Sequence, residues 1–446
     1  MSPTTLVAKT PIMRLSFDKI QTLKWIDTIS FYSILGLVFT MSLSLGLLNT
    51  FLYTIFILQL VKTSLTLQLF PDIKYLKIIL LSILGIILIS LYNVPHEFMH
   101  MSLKGLKKIC VYMIFMLAII NIINTKEKVQ KTLLWLVIGL SVTSLDAIFQ
   151  YIFGFDIIRG YPLYSEAHAT GYDIFRATAG YPHPNDLGIY SSTFFFILTL
   201  YALTMKKNYQ KNVLLISAFL CGLAVFFSFS RGSALAISMT SLLTLFLVKK
   251  KEILILLISI AVTGLLFLPQ DLRVFIKNPT SPYQVFFGLK TKEDPNDSQR
   301  KYAVTDRRDL WKTALNMFKK HPFIGVGFYS FSDQYVLYKN PTDPNLNIRA
   351  HSGFFEILAE LGGLGFSLFM FLFFYALYYS LTSSSKISDN FFRFSSLGLF
   401  LALISFLLNS TYDSTMRSAR IVPFFWLILG LIFCHKKFIQ NEHQKT

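Results

Sequence analysis

The stretch LKIILLSILGIILISLY (76–92) holds one charged side chain, Lys77, and no acidic one. A helix of roughly 17–25 mostly apolar residues spans the hydrocarbon of a bilayer, so this segment reads as a membrane span. Similar runs lie near 29–47, 50–62, 109–124, 131–152, 187–205, 212–229, 232–248, 252–268, 362–383, 394–411 and 419–434, about twelve spans in all. The chain is 53% hydrophobic, with 44 Phe, and only 15% charged, where soluble domains carry roughly 25%. Mean hydropathy is +0.53. A soluble enzyme is excluded. A β-barrel would alternate in short segments, whereas these runs are continuous. The expected fold class is an all-α polytopic membrane protein.

The net charge of +18 would suggest nucleic acid in a soluble chain. Here the basic residues sit in short clusters between apolar runs, as the positive-inside rule requires, and no nucleic-acid partner is expected. Lys62/Lys74/Lys77, Lys126/Lys128/Lys131, Lys206/Lys207/Lys211, Lys249/Lys250/Lys251, Lys386/Arg393 and Lys436/Lys437 all fall on one side if both termini are cytoplasmic. Lys104, Lys107 and Lys108 dissent. The first 24 residues have no apolar core and read as a cytoplasmic lead-in, not a signal peptide. Cys110, Cys221 and Cys434 have neither disulfide nor metal-site spacing. Three divisions follow: 1–268 with nine spans and an outer loop at 153–186, a large outer loop domain at 269–361, and 362–446 with three spans and a cytoplasmic tail. Within the outer domain, Asp309 to Lys320 has helical spacing, ended by HPFIGVG (321–327).

Walker A, HExxH, GxSxG and DxD-like patterns are missing, so ATP-driven transport, zinc proteolysis, hydrolase chemistry and a metal-dependent nucleotide-sugar site lack their signatures. No metal and no cofactor is expected. What stands out is arginine and histidine on the outer face. FSFSRGS (227–233) sets Arg231 near the hydrocarbon, where an arginine snorkels to headgroups or binds an anion; Gly232 and Ser233 would leave its guanidinium uncrowded. TDRRDLW (305–311) carries Arg307 and Arg308, which would ordinarily be partners of Asp306 and Asp309. RAHSGFFEILAELGGLG (349–365) puts His351 before a helix bearing Glu356 and Glu360; a lone loop histidine is usually structural, yet a neutral imidazole there can take a proton from a sugar hydroxyl. RATAGYPHPNDLG (176–188) adds Arg176 and His183 at a helix entrance, and NSTYDS (409–414) adds Asp413, placed to pair with an arginine or orient His351.

Together these motifs resemble the bacterial O-antigen ligases, a superfamily that also holds many O-antigen polymerases. His351-Ser352, nine residues, then Gly362-x-x-Gly365 fits the family's histidine signature, while SRGS (230–233), RRDLW with HPFIGVG, and RATAG…PN (176–185) match its other patterns in order. The resemblance implies a GT-C-like fold and a metal-independent, inverting glycosyltransferase. Such an enzyme moves a glycan from undecaprenyl diphosphate to a sugar hydroxyl of lipid A-core at the periplasmic face of the bacterial inner membrane. It also implies His351 as general base and two arginines on the diphosphate: Arg231, and Arg307 or Arg308, with Arg307 favoured because it stands four residues before Trp311. Arg176, His183 and Asp413 are possible supporting residues. An O-antigen polymerase, or a related lipid-linked oligosaccharide transferase, shares the donor and is the alternative. A transporter or flippase is remote, because its ionisable residues belong at mid-membrane and these sit at one face.

Overall fold

The computed structural model describes residues 11–71, 73–167, 173–266, 307–341, 343, 346–386 and 389–443. Helices α1 (Pro11–Thr40), α2 (Leu45–Thr66), α3 (Lys74–Ser90), α4 (Met99–Ile122) and α5 (Lys126–Phe153) lead to a two-stranded antiparallel hairpin. Its strands, β1 (Tyr164–Ala167) and β2 (Asp173–Arg176), pair Tyr164 with Arg176. Then come α6 (Pro184–Ala202), α7 (Asn208–Phe227), α8 (Arg231–Val248) and α9 (Lys251–Leu266). Two shorter helices follow, α10 (Arg307–Lys320) and α11 (Phe331–Tyr338), then α12 (Gly353–Lys386), α13 (Asn390–Tyr412) and α14 (Val422–His443). The chain is an all-α polytopic membrane protein.

Nine helices among the described residues are long and apolar enough to cross a membrane. Three expected spans fall outside that number for visible reasons. The α9 helix has 16 residues, and the apolar part of α14, Val422–His435, is also short. The α6 helix is buried along nearly its whole length between α7, α8 and α13. Ringed by protein, it accommodates Ser191, Ser192, Thr193 and Thr199, which a lipid-facing helix would disfavour. The expected short span at 50–62 is the 22-residue α2, extended at both ends.

The α10 helix lays Leu310, Ala314 and Met317, spaced i, i+4, i+7, against Val326, Phe331, Tyr335, Ala350 and Ala359. Asp309 in its first turn and Lys319 and Lys320 in its last complement the helix dipole. Trp311 stacks on Phe355 of α12, ring centres 5.3 Å apart. Residues 267–306, including Asp306 and the first part of the expected loop domain, lie outside the described residues.

The α12 helix begins at Gly353 and breaks at Gly362 (φ 63°, ψ −167°). The carbonyls of Ala359 and Glu360 would normally receive the amides of Gly363 and Leu364. They accept instead from Val326 N (2.9 Å) and Gly327 N (3.0 Å), while Gly363 N and Leu364 N donate to Pro322 O (2.7 Å) and Phe323 O (3.2 Å). HPFIGVG thus replaces the missing turn. A Cβ on Gly325 would lie 2.2 Å from the Glu360 carbonyl carbon, and one on Gly362 2.4 Å from that of Phe323.

Gly325→Ala, with a positive φ and a backbone collision, is expected to cost about 2–4 kcal/mol. Gly154→Ala has a positive φ but nothing within 4 Å, and should cost only about 1 kcal/mol. Thermal unfolding in detergent checks this; equal losses would mean that the docked backbone contributes nothing.

Candidate functional site

The starts of α6, α8 and α12 and the end of α13 meet at one end of the helix bundle. Ser230 caps α8, its side chain accepting from Ser233 N, so Arg231 occupies the first helical position and is exposed. Ser233 Oγ donates to Asn409 Oδ1 (2.8 Å), and Asn409 Nδ2 reaches Ser192 Oγ (3.0 Å). This polar seam holds the start of α8 against the end of α13. A Cβ on Gly232 would be 3.2 Å from Tyr412 Cβ, so Gly232 and Ser233 serve helix packing here.

Asp413 follows α13 directly and ties three segments together. Its carbonyl accepts from Gly353 N (3.0 Å) and Thr415 N (2.9 Å), and its carboxylate accepts from Ser414 N (2.7 Å) and Asn185 Nδ2 (2.9 Å). Arg176 donates to Asn185 Oδ1 (2.7 Å) and Ser228 O (2.9 Å). Arg176 is 7% exposed, and these bonds make it a brace between the hairpin, the start of α6 and the end of α7. His183 caps α6 by accepting from Asn185 N through Nδ1 (3.1 Å). Both expected supporting residues therefore act on Asn185, and Asn185 acts on Asp413.

His351 lies opposite, its Nδ1 3.9 Å from Asp413 Oδ1. That nitrogen is buried and has no hydrogen-bond partner among the described residues. A small approach would create an Nδ1–H···Oδ1 bond, leaving Nε2 as the basic nitrogen; apo sites often hold such pairs slightly apart. The backbone of His351 has φ +48°, a conformation rare outside glycine and asparagine that neighbouring contacts must sustain. Glu356 supplies one contact: its Oε1 accepts from Ala350 N (3.3 Å) and Ser414 Oγ (2.7 Å), the residues adjoining His351 and Asp413.

Burial is the largest influence on the His351 imidazole and holds its pKa below the ordinary value; Asp413 opposes that shift, and Arg307 and Arg349 add to it. Arg307 thus lies within electrostatic reach of His351. Arg308, one residue on, is exposed, and Asp309 pairs with Lys312 (3.1 Å).

Sequence reasoning missed a second layer. Glu360 accepts from Tyr329 N (2.8 Å) and Phe331 N (2.9 Å), and Arg417 Nη2 from 2.6 Å. Arg417 also donates to Tyr329 O (2.9 Å) and lies 3.8 Å over the Tyr329 ring. These groups border a cavity of about 30 Å³, room for one water. The signal was legible in TMRSAR (415–420): two arginines in a short loop that the expected orientation puts outside run against the positive-inside bias.

Residues 216–370 match the family described as O-antigen ligase, a segment that takes in Arg231, Arg307, His351 and the Gly362 break. No curated protein matches the chain.

By NMR titration, the His351 imidazole should lose its proton below the ordinary value of about 6.5. Removing the Asp413 charge by Asp413→Asn should move the transition lower still, since the carboxylate is what holds the proton. A midpoint above 6.5 would mean that burial does not dominate, and no response to Asp413→Asn would separate the two residues.

Proposed function

We propose that this chain, whose matched segment supports membership of the O-antigen ligase superfamily, transfers a glycan from undecaprenyl diphosphate to a sugar hydroxyl of lipid A-core. The observation that carries the reading is the His351–Asp413 pair, set among arginines at the edge of the helix bundle. His351 Nε2 takes the proton of the acceptor hydroxyl as its oxygen attacks the anomeric carbon from the face opposite the diphosphate. The new C–O bond inverts that centre, the old one breaks, and undecaprenyl diphosphate leaves with both electrons. Asp413 stabilises the imidazolium. Arg231 and Arg307 receive the charge growing on the diphosphate, which is the task a metal ion performs elsewhere. The partners are therefore the lipid-linked glycan, lipid A-core and the surrounding membrane lipids.

The basic clusters support both termini in the cytoplasm of a bacterium, with the site at the periplasmic face of the inner membrane. A GT-C-like arrangement belongs to the same proposal. An O-antigen polymerase is the second reading. One observation favours it: the 153–186 loop reaches the site through Arg176 and Asn185, so two outer loops contribute, and the acceptor becomes another lipid-linked glycan.

The test is transfer by purified protein in EDTA, followed on a gel, with rough lipopolysaccharide and an undecaprenyl-diphosphate-linked glycan. Product on lipid A-core supports the ligase, whereas glycan lengthened on its own carrier supports the polymerase. His351→Ala should lower the rate about 10²–10⁴-fold without loss of folding. Arg231→Lys and Arg307→Ala should each cost about 10²–10³-fold, and Arg308→Ala far less. Wild-type rates in His351→Ala would remove the base; equal losses at Arg307 and Arg308 would remove the assignment between them.

A further inference from the structure

Beside the catalytic groups, a second pair of arginines meets at one glycine. Arg420, 8% exposed, donates through Nη1 to Gly180 O (2.8 Å). Arg159 comes to the same residue from the other side, its Nε 3.6 Å from where a Gly180 Cβ would stand. Arg159 spends Nη2 on Leu43 O (2.7 Å). Neither guanidinium has a carboxylate within 4.0 Å among the described residues. The nearest acidic influence on Arg420 is Asp186, and Arg159 itself is a repulsive one.

The pair is mounted rigidly. Asp156 is fully buried and its carboxylate accepts from Arg159 N (2.6 Å) and Tyr161 N (2.7 Å). Gln150 Oε1 accepts from Thr178 N (2.7 Å) and Ala179 N (2.9 Å), fixing the approach to Gly180. Arg159 lies 5.8 Å from the Tyr161 ring centre and Arg420 5.5 Å from that of Tyr181, contacts that ease the repulsion between two like charges without neutralising either, so an anion between them is favoured. No nitrogen of Arg159 or Arg420 is among the sealed polar atoms without a partner, so their unused N–H groups stay reachable. Two guanidinium forks suit a phosphate better than a planar carboxylate alone. Asp186 links the place to the catalytic one, lying within electrostatic reach of Arg420, Asp413 and Arg349.

We propose that Arg159 and Arg420 form a phosphate-binding site separate from the diphosphate arginines, contacted by a phosphate on the acceptor or on a membrane lipid headgroup. The site itself requires only the phosphate; assigning it to the acceptor rests on the transfer reading above.

Direct binding tests it without turnover, so a failure here is distinct from a failure of that reading. Full-length protein is titrated with rough lipopolysaccharide, intact or chemically dephosphorylated, and its retained lipids are read by native mass spectrometry in phosphatidylglycerol nanodiscs. Wild type should prefer the phosphorylated acceptor by about tenfold. Arg159→Gln should abolish that preference while leaving undecaprenyl diphosphate binding and the melting temperature unchanged. Arg420→Lys keeps a charge at the buried position and should abolish it too, because an ammonium lacks the fork. Loss of retained phosphatidylglycerol with unaltered acceptor binding would assign the site to the headgroup. Folded variants that bind both as wild type does would overturn the proposal.

Discussion

A helix cannot be interrupted inside or beside a bilayer unless the freed amides and carbonyls find partners. At Gly362 two helical hydrogen bonds are exchanged for four bonds to HPFIGVG, and much else hangs on that exchange. It docks α10 and α11 on the N-terminal part of α12. It brings Tyr329 and Phe331 to Glu360, so that their amides and Arg417 share one carboxylate. Arg417 in turn holds the 413–420 segment, which begins with Asp413. The distance between His351 and Asp413 is thus set in part by a backbone exchange many residues away in sequence.

The same economy governs the polar groups. Each side chain around Asp413 belongs to a different segment, and each has at least one specific partner: Arg176 from the hairpin, Asn185 from α6, Glu356 from α12, Ser414 from the last outer loop. Buried networks of this kind are costly when incomplete and rigid when complete. The unpaired Nδ1 of His351 is therefore conspicuous, since everything facing it is fixed. Rigid surroundings around an open ring nitrogen are what positioning a reactive group demands.

The helical class was legible because lipid-facing helices must be apolar on the outside, and α3 shows this plainly. By the same logic α6, buried at nearly every position, tolerates Ser191, Ser192, Thr193 and Thr199 because its neighbours are protein. Histidine and arginine motifs could be read one by one, but their mutual placement could not, because it depends on Asn185 and Gln150, which look like ordinary polar residues in a string. Gly232 shows a related limit. Its smallness was visible, whereas its reason, the approach of Tyr412, belongs to tertiary structure. The Arg307–Arg308 ambiguity is similar: adjacent helical residues point about 100° apart, and only the placement of α10 decides which one His351 feels.

That placement gives the charges a coupled role on the proposed function. Arg307 and Arg349 depress the proton affinity of His351 in the empty site, while Asp413 raises it. A diphosphate held by Arg307 brings negative charge to the same neighbourhood and offsets the arginine's influence, so the imidazole becomes more basic when donor is bound. The base is then weakest when it has nothing to activate and strongest beside an assembled donor. Hydrogen bonding to Asp413 acts in the same direction and also fixes which nitrogen takes the proton. The arginine that receives the leaving group and the carboxylate that orients the base thus act on one imidazole from opposite sides, and this links proton removal from the acceptor to occupancy of the donor site without any moving part.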